Sequence, residues 1–512
     1  MKAIKEALKD VSSICERCKL RLAGIKNSRI HLAVSSAGMS VDEQGKEEDG
    51  EEKAAPAVKR QRLLPSPSPC RVCLGILEDG VMHAELDRVS GDVRHCGYDA
   101  DHFTVAISLP ISLALREHSI KEYLGRKMGD AFDEDEVVPL KQVWKWIFPM
   151  KMEAAVGKRY VTGDACQFYI ELKIEYDKDE EELKCLRAMC EAEYAMREKK
   201  SNQFHMGLVT RQGAEKSLAS VATNKFEAHY PVPPGIPERP FSSSVSMNHD
   251  SIFIAGRYNK YSRHLPQTPW LVDGERKAES SVEELILSEI RRHFEFEEAR
   301  FSSSGREDVD VRMLGRGRPF TFEVTNPRRT RFSAAEMAAL TERINASTGK
   351  RVRVRDLQVV EKSSVKTLKE GEDQKVKTYT ALCVCPGGLG DFAALRDRID
   401  SLQEVEVTQK TPIRVLHRRS NMARKRTIYS MTAAICPQAS GEEESKMFKL
   451  KLATQAGTYV KEFVHGDFRR TRPNLRELLG RDIDIVALDV ESIELDWPPS
   501  LEKETANGAA PT

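Results

Sequence analysis

A short stretch that begins at Gly305 concentrates the residue types that could do chemistry in this chain. It reads Gly-Arg-Glu-Asp-Val-Asp-Val-Arg-Met-Leu-Gly, with three carboxylates among arginines. The alternation of valines with Asp308 and Asp310 predicts a strand. A strand would put both aspartates on one face, together with Arg306 and Arg312. Neighbouring guanidinium groups keep a carboxylate ionised, and an ionised carboxylate can act as a nucleophile. The alternative is a charged strand edge held by ion pairs, which the stretch alone favours.

The bulk composition describes the kind of protein in which this stretch lies. At 512 residues the chain is too long for one hydrophobic core, so two to four domains are expected. Its net charge of +1 gives no indication of a nucleic-acid partner. Such a partner could be indicated only by the local distribution of charge along the chain. No apolar run is long enough to predict a membrane span. The N-terminus lacks an apolar signal core and carries acidic residues, so we expect the protein in the nucleus, the cytoplasm or both.

Four cysteines form two closely spaced pairs, Cys15-x-x-Cys18 and Cys70-x-x-Cys73. In a reducing compartment such pairs indicate a metal rather than disulfides. Two chelating pairs of thiolates match a tetrahedral Zn²⁺ site, and four protein ligands leave no open position, so the zinc would be structural. The alternatives are four unrelated cysteines or a redox pair.

A second local signal is the segment from Lys410 to Arg426, which is strongly basic and contains no acidic residue. Unbroken positive charge suits a phosphate backbone, and the polar residues in the segment predict a loop. The alternative is a solvated surface loop. The candidate phosphate contacts in it are Arg414, His417, Arg418 and Arg419.

Composition and periodicity place these signals along the chain. Residues 34–68 are acidic and rich in Pro and Ser, which predicts disorder. The run Lys59-Arg60-Gln61-Arg62 inside them is a candidate nuclear import signal. The proline-rich residues 231–240 mark the boundary between two halves, and residues after 498 form a loose tail. Strands are predicted at 103–109, 169–176, 320–324, 378–385 and 448–454, and helices at 140–148, 183–196, 281–294, 334–344 and 392–402.

Three motifs resemble those of the pseudouridine synthases. They are Gly305-Arg306-Glu307-Asp308, Lys377-Thr378-Tyr379-Thr380-Ala381 and Gly457-Thr458-Tyr459-Val460-Lys461-Glu462-Phe463. Together with Arg-Val-Leu-His-Arg-Arg at 414–419 and the paired Cys-x-x-Cys motifs, they are similar to one family. That family is the archaeal and eukaryotic tRNA pseudouridine synthase number ten, which modifies the TΨC arm. The resemblance is dense from about 250 to 495 and thinner before that.

The resemblance implies an α+β fold, with a mixed, largely antiparallel catalytic sheet and an N-terminal zinc-binding and THUMP-like α/β accessory part. The implied domains are a zinc module at 1–33 and 69–98, the linker at 34–68, a THUMP-like RNA-binding domain at 99–240, a catalytic domain at 250–498 and a tail at 499–512. The partner it implies is tRNA, with other structured RNAs as further candidates. We expect a monomer that uses no organic cofactor and does not bind a membrane.

The resemblance also implies roles for single residues. Asp308 matches the catalytic aspartate, Tyr379 the tyrosine that stacks on the target uracil, and Lys461 a basic residue that pairs with the aspartate from a strand. Asp310 has no counterpart in the simpler superfamily motif, so we expect it to be structural or supporting. Arg306 is a candidate to hold the flipped nucleotide.

Candidate phosphate contacts outside the basic segment are Arg257 and Tyr261. Two other classes of protein remain as alternatives. A non-catalytic, zinc-containing RNA-binding protein could keep the basic segment and the cysteines, but it has no need of the three motif residues together. A different RNA-modifying enzyme would need an ATP or adenosylmethionine loop, which the sequence does not show. The sequence leaves open whether tRNA position 54, 55 or both are modified, and whether the aspartate attacks ribose C1′, takes the 2′ proton or adds to the base.

Overall fold

The computed structural model describes residues 1–34, 68–163, 166–191, 194, 210–239, 241–370, 376–436 and 446–501. The contacts divide the chain into two compact units, Met1–His249 and Asp250–Thr512. Residues 35–67 of the predicted linker, with its basic run, and most of the predicted tail at 499–512 lie outside the described residues.

The first unit packs helices against a small mixed sheet. Its described helices are α1 (Lys2–Ala7), α2 (Glu16–Leu22), α3 (Ser28–Ala33), α4 (Asp79–His95), α5 (Ser112–Met128), α6 (Leu140–Val156), α7 (Asp179–Met189), α8 (Arg211–Ala219) and α9 (Thr223–His229). Its strands are β1 (His102–Ser108), β2 (Arg159–Tyr160), β3 (Phe168–Glu175) and β4 (Ser242–His249), in the order β2-β1-β3-β4. Only β3 and β4 pair antiparallel. Strand β3 alternates buried and exposed residues throughout, as a sheet covered on one face requires.

The second unit is built on one large sheet. Its strands are β5 (Ile252–Lys260), β6 (Leu271–Val272), β7 (Glu275–Arg276), β8 (Glu298–Ser303), β9 (Arg312–Thr325), β10 (Val352–Val360), β11 (Lys377–Val384), β12 (Gln403–Lys410), β13 (Ala423–Ile435), β14 (Met447–Thr454), β15 (Thr471–Arg472) and β16 (Asp484–Ile493). Its α-helices are α10 (Val282–His293), α11 (Ala334–Ser347), α12 (Lys366–Glu370), α13 (Phe392–Asp400), α14 (Val460–His465) and α15 (Leu475–Leu479). Helix α11 starts with a capping box between Ser333 and Glu336.

Ten of the described strands form the sheet of the second unit. Their order is β10-β5-β9-β16-β11-β14-β13-β12-β15, and β8 pairs with β9 outside this path; β6 and β7 form a separate hairpin. Strands β9 and β16 pair parallel at Arg312 and Asp489, whereas the other described pairs of this sheet are antiparallel. The mixed, largely antiparallel sheet with flanking helices confirms the predicted fold class. The THUMP-like character of the first unit stays a prediction.

The predicted strand over the stretch that begins at Gly305 is wrong. Residues 304–311 form a loop between β8 and β9, and the strand begins only at Arg312. Gly305 has φ +86°, which turns the chain away from an extended path, and Val311 N–H closes a turn onto the carbonyl of Asp308 at 3.1 Å. The carbonyls of Asp308 and Val309 accept hydrogen bonds from Lys260, so they take no part in a ladder.

The strand expected around Lys461 is also wrong, because α14 carries this residue. Gly457 has φ +76° and ends the run of β14, and Gly466 in the left-handed conformation ends the helix. The basic segment is a loop only in part, because Ile413–Val415 form a 3₁₀ turn and β13 begins at Ala423.

Candidate active site

A buried ion pair supports the loop that carries the candidate aspartate. The Arg318 Nε donates to Glu307 Oε2 at 2.7 Å, and both side chains are almost fully buried. The Tyr258 hydroxyl lies 2.9 and 3.0 Å from the two Glu307 oxygens, and Gln267 Nε2 lies 2.7 Å from that hydroxyl. Gln267 also donates to the carbonyl of Gly305 at 3.1 Å. Burial opposes the charge of Arg318, but Glu307 outweighs it and raises the pKa of Arg318. Glu307 is therefore fixed directly before Asp308.

Lys260 holds the same loop from its other side. Its ammonium donates to the carbonyls of Leu265, Asp308 and Val309 at 2.9, 2.9 and 3.0 Å, and the residue is fully buried. Burial lowers the pKa of Lys260 to about 8. Three donors on one buried group fix the backbone of the aspartate while leaving its carboxylate unused.

The Asp308 carboxylate faces three cationic groups. Arg414 Nη1 lies 2.7 Å from Asp308 Oδ2, Lys461 Nζ lies 3.5 Å from the same oxygen, and Arg418 Nη2 lies 4.0 Å from Oδ1. The side chain of Asp308 is 29% exposed, so it remains accessible. The pairing with Lys461 that the resemblance implies is present, but Arg414 makes the closer contact.

Asp310 is the closest partner of Lys461. Lys461 Nζ lies 2.8 and 2.7 Å from the two Asp310 oxygens. Burial works against the charge of Asp310, but Lys461 outweighs it and lowers the pKa of Asp310. Because the turn at 308–311 brings both aspartates to one ammonium, Lys461 bridges them.

Arg414 is itself anchored by a buried carboxylate. Its Nε donates to Glu462 Oε1 at 2.7 Å, and the Glu462 side chain is only 2% exposed. Burial opposes the charge of Arg414, but Glu462 and Asp308 outweigh it and raise its pKa. Glu462 directly follows Lys461, so α14 carries Lys461 and also positions Arg414, the two cations nearest to Asp308.

A cavity of about 270 Å³ opens beside Asp308. Tyr379 forms part of its wall, and burial raises the pKa of Tyr379 to about 12, so its ring is neutral at physiological pH. Val311, Val415, Val460, Leu488 and Val490 supply apolar lining. The cationic residues of the lining are Arg306, Arg318, Lys377, Arg414, Arg418, Arg419, Arg424, Arg426 and Lys461. Against these nine cations stand only Glu307 and Asp308, so the cavity suits an anionic ligand with a flat ring.

Seven of the residues singled out from the sequence line this cavity. They are Arg306, Asp308, Tyr379, Arg414, Arg418, Arg419 and Lys461. His417 and Tyr261 are exposed but are not part of the lining.

The prediction that Arg257 contacts RNA phosphates is wrong. The residue is 1% exposed, and its guanidinium donates to the carbonyls of Arg316, Gly317, Leu495 and Trp497. Its guanidinium therefore bonds backbone carbonyls inside the unit and does not reach solvent.

Sequence reasoning missed several residues of the site. Lys260, Arg318 and Glu462 gave no signal, because each acts through a contact between distant segments. Lys377 lies two residues before Tyr379 on β11, and a period of two could have placed both on one face. Arg424 and Arg426 stand in the basic segment at the same spacing on β13.

The four paired cysteines meet in the first unit. Their sulfurs all lie within 4.8 Å of one another, and Cys15 Sγ and Cys73 Sγ are 3.8 Å apart. A tetrahedral ion with bonds of about 2.3 Å to sulfur requires S–S edges of about 3.8 Å, so the spacing fits a metal. The Cys15 N–H lies 3.4 Å from Cys70 Sγ, and Arg21 Nε lies 3.5 Å from Cys18 Sγ, which would offset thiolate charge.

Comparisons with known proteins agree with this organisation. The family model "Pus10, C-terminal" matches residues 253–494, and "Eukaryotic Pus10, N-terminal" matches residues 70–246. A Xenopus laevis protein named tRNA pseudouridine synthase Pus10 is 40% identical over 85% of this chain and 81% of its own length. The Homo sapiens protein of that name is 37% identical over 94% of this chain and 87% of its own. One from Thermofilum pendens is 37% identical over 49% of this chain and 55% of its own.

These relatives are pseudouridine synthases by name, and for the Xenopus laevis and Homo sapiens proteins the match extends over most of both chains. The chain belongs to the Pus10 family of pseudouridine synthases.

We predict that Lys260→Met destabilises the second unit by about 2 kcal/mol, because three buried carbonyls lose their donor. Denaturant unfolding would measure this, with the exposed Lys451→Met as control. The pKa of Lys260 is about 8 when folded and about 10.4 when unfolded, so the unfolded state binds more protons between these values. The stability advantage of the wild type should therefore increase with pH in that window. If the wild type and Lys260→Met had the same free energy of unfolding at every pH, the role given to Lys260 would be contradicted.

Proposed function

We propose that the protein isomerises uridine to pseudouridine in the TΨC arm of tRNA, at position 54, position 55 or both. The observation that carries this proposal is the meeting of Asp308, Arg414, Lys461 and Tyr379 around one cavity, from four distant parts of the sequence. The names of the relatives support tRNA as the substrate. None of the described helices has the length and apolar composition that a bilayer crossing requires.

The proposed reaction breaks the bond between ribose C1′ and N1 of uracil, turns the base and rejoins it through carbon. Attack on C1′ and removal of the 2′ proton both require an ionised carboxylate that faces the ribose. In our proposal Arg414 and Lys461 hold the Asp308 carboxylate in place, and their charge balances the negative charge that develops on the detached base.

Tyr379 provides a flat, neutral face against which the uracil can stack. The target uridine must leave its own stack to enter the cavity, and an aromatic wall offsets part of that cost. The apolar residues of the lining would also help to keep water from the detached base. The proposed chemistry uses side chains alone and no organic cofactor.

The remaining cations would hold the RNA backbone. Arg306, Arg418 and Arg419 line the cavity, and His417 directly precedes Arg418 in the sequence. We propose that they contact phosphates around the flipped nucleotide, since structured RNA is recognised largely through shape and backbone.

We predict that Asp308→Asn abolishes pseudouridine formation, because an amide is neither a nucleophile nor a base. Asp310→Asn should retain activity at about one tenth of the wild-type rate, because it only loosens Lys461 and costs about 1.4 kcal/mol of barrier. The measurement is mapping of pseudouridine in an unmodified tRNA transcript without added cofactor.

Two results would contradict the assignment. Activity that survives in Asp308→Asn would remove Asp308 from the proposed role. Tight tRNA binding by the wild type with no pseudouridine would favour a non-catalytic RNA-binding protein. Circular dichroism and thermal unfolding of each variant would show that the fold is intact.

We predict that charge reversal at Arg418 and Arg419 weakens tRNA binding and flattens its dependence on salt. Each lost phosphate contact should reduce the slope of log K against log salt by about 1. The control is Lys362→Glu with Lys366→Glu, two exposed lysines that are not part of the cavity lining. An unchanged slope in the arginine variant would rule out phosphate contacts at these positions.

We further propose that the four-cysteine cluster holds a structural Zn²⁺. Cys15, Cys18, Cys70 and Cys73 would complete the coordination sphere, so no position remains for a substrate. The ion would tie the first turn of α2 to the turn before α4. A monomer, and residence in the nucleus or cytoplasm, remain predictions.

We predict about one equivalent of zinc in pure protein and loss of that zinc in Cys70→Ser. The first unit should then melt at a lower temperature, because metal binding contributes directly to folding. Elemental analysis and calorimetry would measure both effects. Cys185→Ser is the control, since Cys185 is not part of the cluster. Zinc well below one equivalent would contradict the assignment.

A further inference from the structure

One large apolar side chain of the described residues stands almost entirely in solvent. Phe468 is 90% exposed, and no other exposed large apolar residue in the described part of the chain reaches 60%. It follows α14 in a turn where Gly466, Asp467, Phe468 and Arg469 all have positive φ, at 84°, 44°, 54° and 69°. Three of these residues carry a Cβ, which disfavours this conformation.

Hydrogen bonds hold the turn in this conformation. Asp467 N–H donates to His465 Nδ1 at 3.1 Å, and Ile413 N–H donates to Asp467 Oδ2 at 3.2 Å. Arg470 N–H and Thr471 N–H donate to the carbonyls of Asp467 and Gly466 at 3.0 and 3.2 Å. The turn is therefore a fixed projection rather than a loose loop, and it presents Phe468 outward.

The turn is attached to the basic segment. The Arg470 guanidinium donates to the carbonyl of Thr411 at 2.8 and 3.1 Å and to Asn421 Oδ1 at 2.8 Å. Ile413, which bonds to Asp467, precedes Arg414 of the active site. Phe468 is thus fixed to the same segment whose arginines line the cavity, although it lies outside the lining itself.

The surroundings of Phe468 indicate the kind of partner it fits. The concave surface beside it, of about 550 Å³, carries charges of both signs, and Phe468 is the one large apolar side chain of its lining; its charged residues are Arg469, Arg476, Asp467, Glu477 and Asp484. A protein-binding surface would be expected to have further apolar residues around its aromatic anchor. An exposed aromatic ring with an exposed arginine directly after it, on a turn bonded to the basic segment, is instead an arrangement that suits stacking on a nucleic-acid base.

We propose that Phe468 stacks on an unpaired base of the substrate RNA, outside the cavity that takes the target uridine. The inference rests on the proposed function, because it takes the bound RNA as the occupant. The rigid turn sets the position of the ring in advance, so little freedom is lost when the base stacks. Arg469, exposed beside the ring, would contact an adjacent phosphate.

The test compares Phe468→Ala, Phe468→Leu and Phe468→Tyr in the full chain, with an unmodified tRNA transcript as the probe. Loss of stacking should weaken binding about 10-fold in the Ala and Leu variants, whereas Tyr keeps a ring and should bind as the wild type does. Val486→Ala, which removes exposed apolar surface elsewhere, is the matched control. Thermal unfolding should be unchanged in all four.

A photoreactive benzoylphenylalanine at position 468 supplies the second measurement. Crosslinks should map to a base other than the modified uridine, read as stops of reverse transcription. Unchanged binding in Phe468→Ala would overturn the inference, and so would full binding by Phe468→Leu. If the wild type makes no pseudouridine while Phe468→Ala still weakens binding, the proposed function fails and the stacking contact stands.

Discussion

The active-site loop depends on the buried pair between Glu307 and Arg318. Two opposite charges out of water are stable only when their geometry is good and their remaining hydrogen-bonding groups are satisfied. The Tyr258 hydroxyl on β5 donates to Glu307, and Gln267 donates to that hydroxyl. Because Arg318 lies on β9, the ion pair and these bonds connect β9, β5 and the loop. Removing either partner would leave a buried charge without a counterion. The pair thus fixes the position of Asp308 without using the carboxylate that the chemistry needs.

Ion pairs also fix two of the cations around Asp308. Lys461 bridges two aspartates, while Arg414 bridges Asp308 and the buried Glu462. Arg414 and Lys461 are therefore each held by a carboxylate other than Asp308. This arrangement lets Arg414 and Lys461 stabilise charge on a substrate without first moving to reach it, which is what electrostatic preorganisation requires.

Much of the site could be predicted from the sequence, but its local geometry could not. The three motifs identify Asp308, Tyr379 and Lys461, because each stands in a short distinctive run. The strand predicted at the first motif failed because a period of two also occurs in a loop whose carbonyls are captured by Lys260, 48 residues away. The role of Arg257 failed for a similar reason: a sequence does not reveal that backbone carbonyls near Trp497 will bury its charge.

The parallel pairing of β9 with β16 has a consequence for how the protein is made. Arg312 and Asp489 meet there across 177 residues of sequence, and Leu488 and Val490 of β16 line the cavity. Contacts this distant form slowly, and synthesis delivers β16 after the other strands of the sheet. A nascent chain without β16 thus already carries Asp308, Tyr379 and Lys461 but lacks this part of the cavity wall. The cavity is therefore completed only late in synthesis.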